Sequence, residues 1–300
     1  MPDPVWKPDA PRALLLATDL DGRCDRALDR AVALARRWQA RLVVLTVIEP
    51  PAMPPPRPGD PPRPAQASPA ALRAAARLRS EAGPAVSWLD FERIVREGDV
   101  GRSIDAVAAE TGCSLVVTGV ARDALFGRHL LGSTVSWLAR HGSLPLLVVR
   151  DRAHAPYRRL VVASDFSGSS ARALDVARSL FPDAEASLFS AFEVPYLGLR
   201  DGDREGSVAQ VRDQALESAR EFLASHGHQG LPVAVAHGDA ASRLADHALE
   251  AGADLVVAAT HGRSALFHLL IGSVAREILD ASPCDTLLVP EPAARTPAPA

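Results

Sequence analysis

The sequence predicts an α/β protein made of two copies of one domain, each a parallel sheet covered by helices on both faces. The first observation behind this is a long-range repeat. LVVTGVARDALFGRHLLGS at 115–133 returns 140 residues later as LVVAATHGRSALFHLLIGS at 255–273, and LLLATDLDG at 14–22 returns 146 residues later as LVVASDFSG at 160–168. Solenoid units run about 20–50 residues, so a repeat of this length is a duplicated domain. The six-residue difference in offset marks an indel in a connecting segment. The second observation is that short apolar runs alternate with amphipathic stretches in both copies, the pattern of strands buried on both faces and joined by helices.

In the first copy, Ala13–Thr18 is a short apolar run and Asp25–Gln39 is helical, with apolar positions at Leu28, Val32, Leu34, Ala35 and Trp38. Leu42–Ile48 is a continuous apolar run bounded by turn signals, hence a second buried strand. Ten of residues 50–69 are proline, a density that no helix or central strand survives. Ala70–Ala82 is rich in Ala, Arg and Leu and helical. Phe91–Arg96, Ser114–Thr118 and Pro145–Val149 are three further strands, with helices near Gly101–Thr111 and Ser133–Arg140. The second copy repeats the order, with strands at Arg159–Ser164, Ala186–Phe192, Pro232–Ala236, Asp254–Ala259 and Asp285–Val289. Its helices lie near Ser169–Leu180, Glu205–Ser225, Ala240–Ala251 and Ser273–Asp280. The domains are therefore expected at 1–150 and 151–290, with the boundary in the polar, Pro-containing Asp151–Pro156 and a disordered tail at 291–300.

The chain of 300 residues is long enough for two domains that each bury a core. It is 47% hydrophobic and 23% charged, as expected for a globular protein. A net charge of −3 offers no global field for nucleic acid or anionic lipid. No 18-residue apolar stretch and no signal-like N-terminus is evident. Cys24, Cys113 and Cys284 are far apart and unpaired in pattern, which argues for a reducing cytoplasm and against a zinc site or disulfide frame.

The chemistry concentrates at Ala259–Ser273. This segment leaves an apolar strand, passes His261, Gly262, Arg263 and Ser264, and reaches Gly272-Ser273 at a helix start. Unpaired N–H groups and the positive dipole end suit phosphate oxygens there. Gly272 lets a phosphate approach the backbone with no Cβ in the way, and the Ser273 hydroxyl can cap the helix or donate to phosphate. A carboxylate ends the first strand of each copy, Asp19 and Asp165. In open parallel sheets, ligands lie beyond the carboxyl ends of the strands where strand order reverses, so Asp165 and the 259–273 segment are expected to face one crevice.

The paired Asp, the G-x2-G-x9-G-(S/T) spacing and the apolar last strand resemble the universal stress protein family (UspA-like) in its tandem form, over nearly the whole chain. The resemblance implies a Rossmann-like (adenine nucleotide alpha hydrolase-like) fold with five parallel strands per domain in the order 3-2-1-4-5. It also implies ATP, with Mg2+, as cofactor in those members that keep the motif. Mapped onto this chain, the phosphate segment is Ala259, Gly262, Arg263, Gly272, Ser273 and Val274. The nucleoside end is Asp165 with Phe192 at the end of strand two. A weaker second site in the first copy would comprise Asp19, Val47, Gly119, Gly132 and Ser133. Each copy lacks one glycine of the motif: Ala259 stands at the first position in copy two, and Arg122, or Ala121 with a one-residue shift, at the middle position in copy one. Ala is allowed in ordinary β conformation, whereas a side chain where φ must be positive is strained. Copy two is therefore the better nucleotide site.

Simpler readings stand beside these. Gly-Ser before a helix is a common N-cap, and either aspartate could cap the helix that follows it; the nucleotide role is favoured for Asp165 and the cap for Asp19. His261 and His268 are better read as solvent-facing than as metal ligands, and His226 and His228 sit at a helix end that favours them. No Walker loop, nucleophile elbow or His–carboxylate pair is visible, so ATP hydrolysis would be at most slow and incidental. The expectation is a cytoplasmic, nucleotide-binding regulator of the stress response, an intramolecular pseudo-dimer for which a homo-oligomer is left open, without nucleic-acid or membrane contact. The alternative is a nucleotide-independent scaffold acting through a protein partner.

Overall fold

A computed structural model describes residues 11–19, 25–49, 68–82, 90–120, 132–194, 204–261 and 273–291. The first half runs β1 (Ala13–Ala17), α1 (Asp25–Trp38), β2 (Arg41–Ile48), α2 (Pro69–Ala82), β3 (Phe91–Glu97), α3 (Val100–Glu110), β4 (Val116–Gly119), α4 (Ser133–His141) and β5 (Leu146–Val149). The second repeats it as β6 (Arg159–Ala163), α5 (Gly168–Leu180), β7 (Glu185–Phe192), α6 (Arg204–Ser225), β8 (Val233–His237), α7 (Ala240–Glu250), β9 (Leu255–Ala259), α8 (Ser273–Ala281) and β10 (Asp285–Val289). The strands form one ten-stranded sheet in the order β3-β2-β1-β4-β5-β10-β9-β6-β7-β8. Each half is parallel, and each has the expected order.

The apolar runs are strands because they are buried on both sides, and their alternation sorts them into two cores. In β1, Leu14 and Leu16 join one core while Ala13, Leu15 and Ala17 join the other. Helix α1 turns Ala27, Ala31, Leu34 and Ala35 onto the first core, and α2, α5 and α6 lie on the same face. Helices α3, α4, α7 and α8 cover the opposite face through residues such as Ile104, Leu138, Leu244 and Leu279. Both cores run without a break from one half to the other.

Helix α2 begins one residue earlier than its composition predicts, at Pro69. The Ser68 Oγ accepts the Ala71 N–H at 3.1 Å, so Ser68 caps the helix, and proline at the first helical position forfeits no hydrogen bond. The turns into α3 and α7 are built alike. Gly98 and Gly238 have positive φ (148° and 126°), which disfavours side chains. The next residues, Asp99 and Asp239, cap their helices by accepting the N–H of Arg102 and Ser242.

The halves join through β5 and β10, which pair antiparallel with Leu147 opposite Leu287. Neither strand is an exposed edge, which answers the hazard that an apolar edge strand presents. Near-twofold contacts flank the seam: Arg26 Nη1 donates to the Arg150 carbonyl at 2.6 Å and its repeat counterpart Arg172 donates through Nε to the Pro290 carbonyl at 3.2 Å. A second cluster has no counterpart. Fully buried Asp285 accepts the N–H groups of Arg150 and Asp151 at Oδ1 (2.7 and 2.9 Å) and the Tyr157 hydroxyl at Oδ2 (2.5 Å). Arg30 Nε lies 3.3 Å from Oδ2 as an ion pair without hydrogen-bond alignment, and its guanidinium stacks over the Tyr157 ring at 4.2 Å. The corresponding residues of the other half are Pro145 and Val176, so among the described residues this buried charge pair is not repeated at the other end of the seam.

Candidate functional site

Because β5 and β10 run antiparallel, the carboxyl ends of the strands in the two halves lie at opposite edges of the sheet. Each half therefore has its own switch point, beyond which a ligand crevice is expected in sheets of this kind. In the second half β6 is hydrogen-bonded to β9 in parallel, Val162 beside Val257. The chain leaves β6 for α5 on one face, and α8, which follows β9, lies on the other. This is a topological switch point, and Asp165 stands at its rim.

The turn after β6 is held by short side chains. Ser167 N–H donates to Asp165 Oδ1 at 3.1 Å, an Asx turn. The Ser170 hydroxyl donates to the same oxygen at 2.7 Å, and its Oγ accepts the Asp165 N–H at 3.2 Å. Phe166 takes a left-handed φ of 62°, which costs about 1 kcal/mol. Its N–H is satisfied by Ser164 Oγ at 3.0 Å and its ring packs on Phe222, centroids 5.8 Å apart. The N-cap of α5 is Ser167, whose side chain accepts from Ser170 N–H. Asp165 is thus not the N-cap of that helix; its carboxylate holds the turn that leads into it.

Across the crevice, Ala259 ends β9 in regular strand geometry and pairs with Val289. Thr260 is buried, its N–H donates to the Val289 carbonyl at 3.0 Å, and its hydroxyl meets His261 Nδ1 at 2.9 Å. His261 is half-buried. Among the described residues its Nε2 is removed from solvent and has no hydrogen-bond partner, so the ring is not wholly solvent-facing as the sequence predicts. Gly262, Arg263 and Gly272 lie outside the described residues, as do His268 and copy one's Ala121 and Arg122. Ser273 opens α8, and Val274 is 45% exposed at its first turn.

In the first half Asp19 is exposed after β1. Gly119 ends β4 in strand conformation without positive φ, the backbone in which Ala259 is tolerated at the equivalent place. Gly132 is the N-cap of α4, at φ −60° and ψ 151° with no side-chain cap, and Ser133 is the first helical residue. The hydroxyl of a Gly-Ser pair is therefore not the cap here; glycine holds that position at an ordinary φ.

The strand register fixes which positions of the two halves correspond. Phe192 lies opposite His237 on β8, as Ile48 lies opposite Glu97 on β3. The counterpart of Phe192 is thus Ile48, and that of Val47 is Ala191; Val47 and Ala191 both pack against the second core. Val47 and Phe192 point to opposite faces of their strands and cannot play one role. Ser167, Ser170 and Thr260 were not singled out by the sequence, although the S-G-S-S run after Asp165 carries the signal. Among the described residues no group of His, Cys, Asp or Glu could hold a metal ion, and no helix is long and apolar enough to cross a membrane. His228, past the end of α6, pairs through Nε2 with Asp175 at 2.6 Å, and Cys113 and Cys284 are buried free thiols.

The model of the universal stress protein family matches residues 11–150 and again residues 156–290. The chain belongs to the universal stress protein family. Universal stress protein YxiE of Bacillus subtilis is 29% identical over 147 residues, 44% of this chain and 99% of that protein. Universal stress protein MJ0531 of Methanocaldococcus jannaschii is 25% identical over 142 residues, 45% of this chain and 84% of its own length. Both match one domain's length. A universal stress protein from Archaeoglobus fulgidus has the same fold over 95% of this chain and 98% of its own, with a TM-score of 0.66 at 18% identity. A protein of unknown function from Pseudomonas aeruginosa does so over 94% and 93%, with a TM-score of 0.66 at 20% identity. The tandem form of the universal stress protein fold therefore recurs in whole chains of this length.

Proposed function

We propose that this tandem universal stress protein is a cytoplasmic regulator of the stress response that binds adenine nucleotide, ATP, chiefly in its second domain. The observation that carries this reading is the clamped carboxylate of Asp165 at the β6–β9 switch point, in the copy that also keeps the middle glycine, Gly262. The residues fit such a ligand. Asp165 would accept from ribose hydroxyls, and the end of β7 would border the base. The 259–274 segment would meet the phosphates with Gly262, Arg263, Gly272 and Ser273, the start of α8 providing backbone N–H groups. The His261 Nε2, which has no hydrogen-bond partner among the described residues, is a further polar atom beside Ala259. ATP with Mg2+ would bring a compact anionic group to this positive helix end. The first domain, with Asp19 exposed and no middle glycine, would form the weaker site with Gly119, Gly132 and Ser133.

Binding is tested on the purified full chain by acid denaturation, with chromatography of any adenine nucleotide released, and by equilibrium dialysis with ATP and Mg2+. One nucleotide per chain is the expected stoichiometry. No released nucleotide and no uptake of ATP would replace this reading with the scaffold that acts by protein contact alone.

A further inference from the structure

We infer that Ser170 is the positioning residue of the nucleotide site in the second domain: it touches no ligand and sets the carboxylate of Asp165 for the nucleoside. The inference rests on the nucleotide reading above. Ser170 is 3% exposed and sits in the first turn of α5, a helix anchored in the core by Ala173, Leu174, Ala177 and Leu180. Its Oγ holds Asp165 at two points, giving a proton to Oδ1 at 2.7 Å and taking the main-chain N–H at 3.2 Å. With the Ser167 N–H also on Oδ1, both the backbone and the carboxylate plane of Asp165 are tied to a rigid element. An aspartate on a turn would otherwise exchange among rotamers, and ordering it on binding would weaken affinity.

The repeat supplies a natural control. RALD at 26–29 aligns with RALD at 172–175, which places Cys24 of the first copy at the position of Ser170 and Asp21 at that of Ser167. A thiol is a weak donor with a longer reach and cannot reproduce a 2.7 Å O–H···O bond. Asp19 and Asp165 are the same residue at corresponding positions, and only the second copy has the Ser170 hydroxyl five residues on.

The test is a double-mutant cycle for ATP binding on the full chain, with Ser170→Ala, Asp165→Ala and the pair, and with Ser170→Cys to install the first copy's residue at similar volume. Each single change is expected to weaken ATP about three- to tenfold, the worth of one hydrogen bond. The pair should be no weaker than Asp165→Ala alone, because Ser170 acts only through that carboxylate. Ser170→Cys should match Ser170→Ala in affinity. A Ser170→Ala loss of equal size in the presence and absence of Asp165 would show a merely structural role and overturn the inference while leaving nucleotide binding in place. Absence of ATP binding by the unaltered chain would instead overturn the nucleotide reading and this inference with it.

Discussion

The two domains share a fold, a strand order and a helix arrangement, yet they differ where the chemistry lies. After β6, Asp165 is gripped by Ser167 and Ser170 and backed by the Phe166–Phe222 contact. After β1, Asp19 is exposed, and its sequence neighbours are Leu20, Asp21 and Cys24. After β9, Thr260 and His261 lead into a segment that keeps Gly262; after β4, the same segment carries Ala121 and Arg122. The seam is unequal as well, with Asp285 and Arg30 buried at one end and Pro145 and Val176 at the corresponding places. The two halves keep the same apolar strands and differ more in the residues that flank the strand ends. Packing constrains the sheet of both halves equally, because the two cores are continuous across β5 and β10. A ligand constrains only the crevice that holds it.

The largest expected effect breaks the symmetry of the seam. Asp285→Ala would leave the buried Arg30 guanidinium without a carboxylate to offset its charge, although it keeps the Ala155 carbonyl, and would strand the N–H groups of Arg150 and Asp151, a loss of about 3–5 kcal/mol. Pro145→Ala at the equivalent place should cost much less. Urea unfolding of both variants checks this; equal losses would mean that the charge cluster contributes nothing particular to the seam.

The next comparison concerns the crevices. Gly272→Val places a branched side chain at the helix start that phosphates must approach, and ATP affinity should fall more than about tenfold, which is about 1.4 kcal/mol. Gly132→Val should leave ATP affinity nearly unchanged. Equilibrium dialysis showing equal losses for both would end the claim that the second domain is the principal site.

A smaller effect concerns alkaline stability. Burial, and then the charge of Asp285, push the Tyr157 phenol well above its ordinary value. Burial and Asp285 also push the Cys284 thiol up to about 12. In the folded chain both groups keep protons that the unfolded chain gives up. Stability is therefore fully present below the unfolded values of about 8.5–10 and declines as pH rises through the folded ones. Tyr157→Phe should make the decline shallower, read as the urea midpoint at a series of pH values. An unchanged slope would show that Tyr157 does not titrate with unfolding.

The smallest expected effect tests the insert that distinguishes the first domain. Deleting residues 51–66 leaves Ser68 to cap α2 and should change ATP affinity by less than about twofold, under half a kcal/mol. A larger change would tie the proline segment to the second domain's site.

Most of the fold was legible in the sequence because buried parallel strands are short apolar runs whose ends are marked by turn residues. The strand Leu42–Ile48 predicted from its apolar run is β2 within one residue, and Asp285–Val289 is β10 residue for residue. The site was less legible. Which residue of β2 corresponds to Phe192 was not legible, because the repeat shows only that six residues were lost between its two conserved blocks. The ladders divide that loss. Ala17 pairs with Leu45 and Ala163 with Phe189, so two residues go before strand two and the other four between strands two and three. A shift of one position turns a side chain to the other face of the sheet, and no apolar pattern in SLFSAF reveals it.

The sequence by itself determined that this is a duplicated α/β domain of the universal stress protein family, with its polar and glycine-bearing segments at the strand ends. Hydrophobic period and turn chemistry are local, and they act wherever the chain goes. Only the tertiary structure decided three things: that α5 is capped by Ser167, with Asp165 holding the turn before it; that His261 Nε2 is withdrawn from solvent; and that Arg30, Tyr157 and Asp285 meet across the seam. Each of these joins groups distant in sequence or competing for one hydrogen-bond partner, and such choices are settled by burial, where an unmet polar group costs more than it does in water.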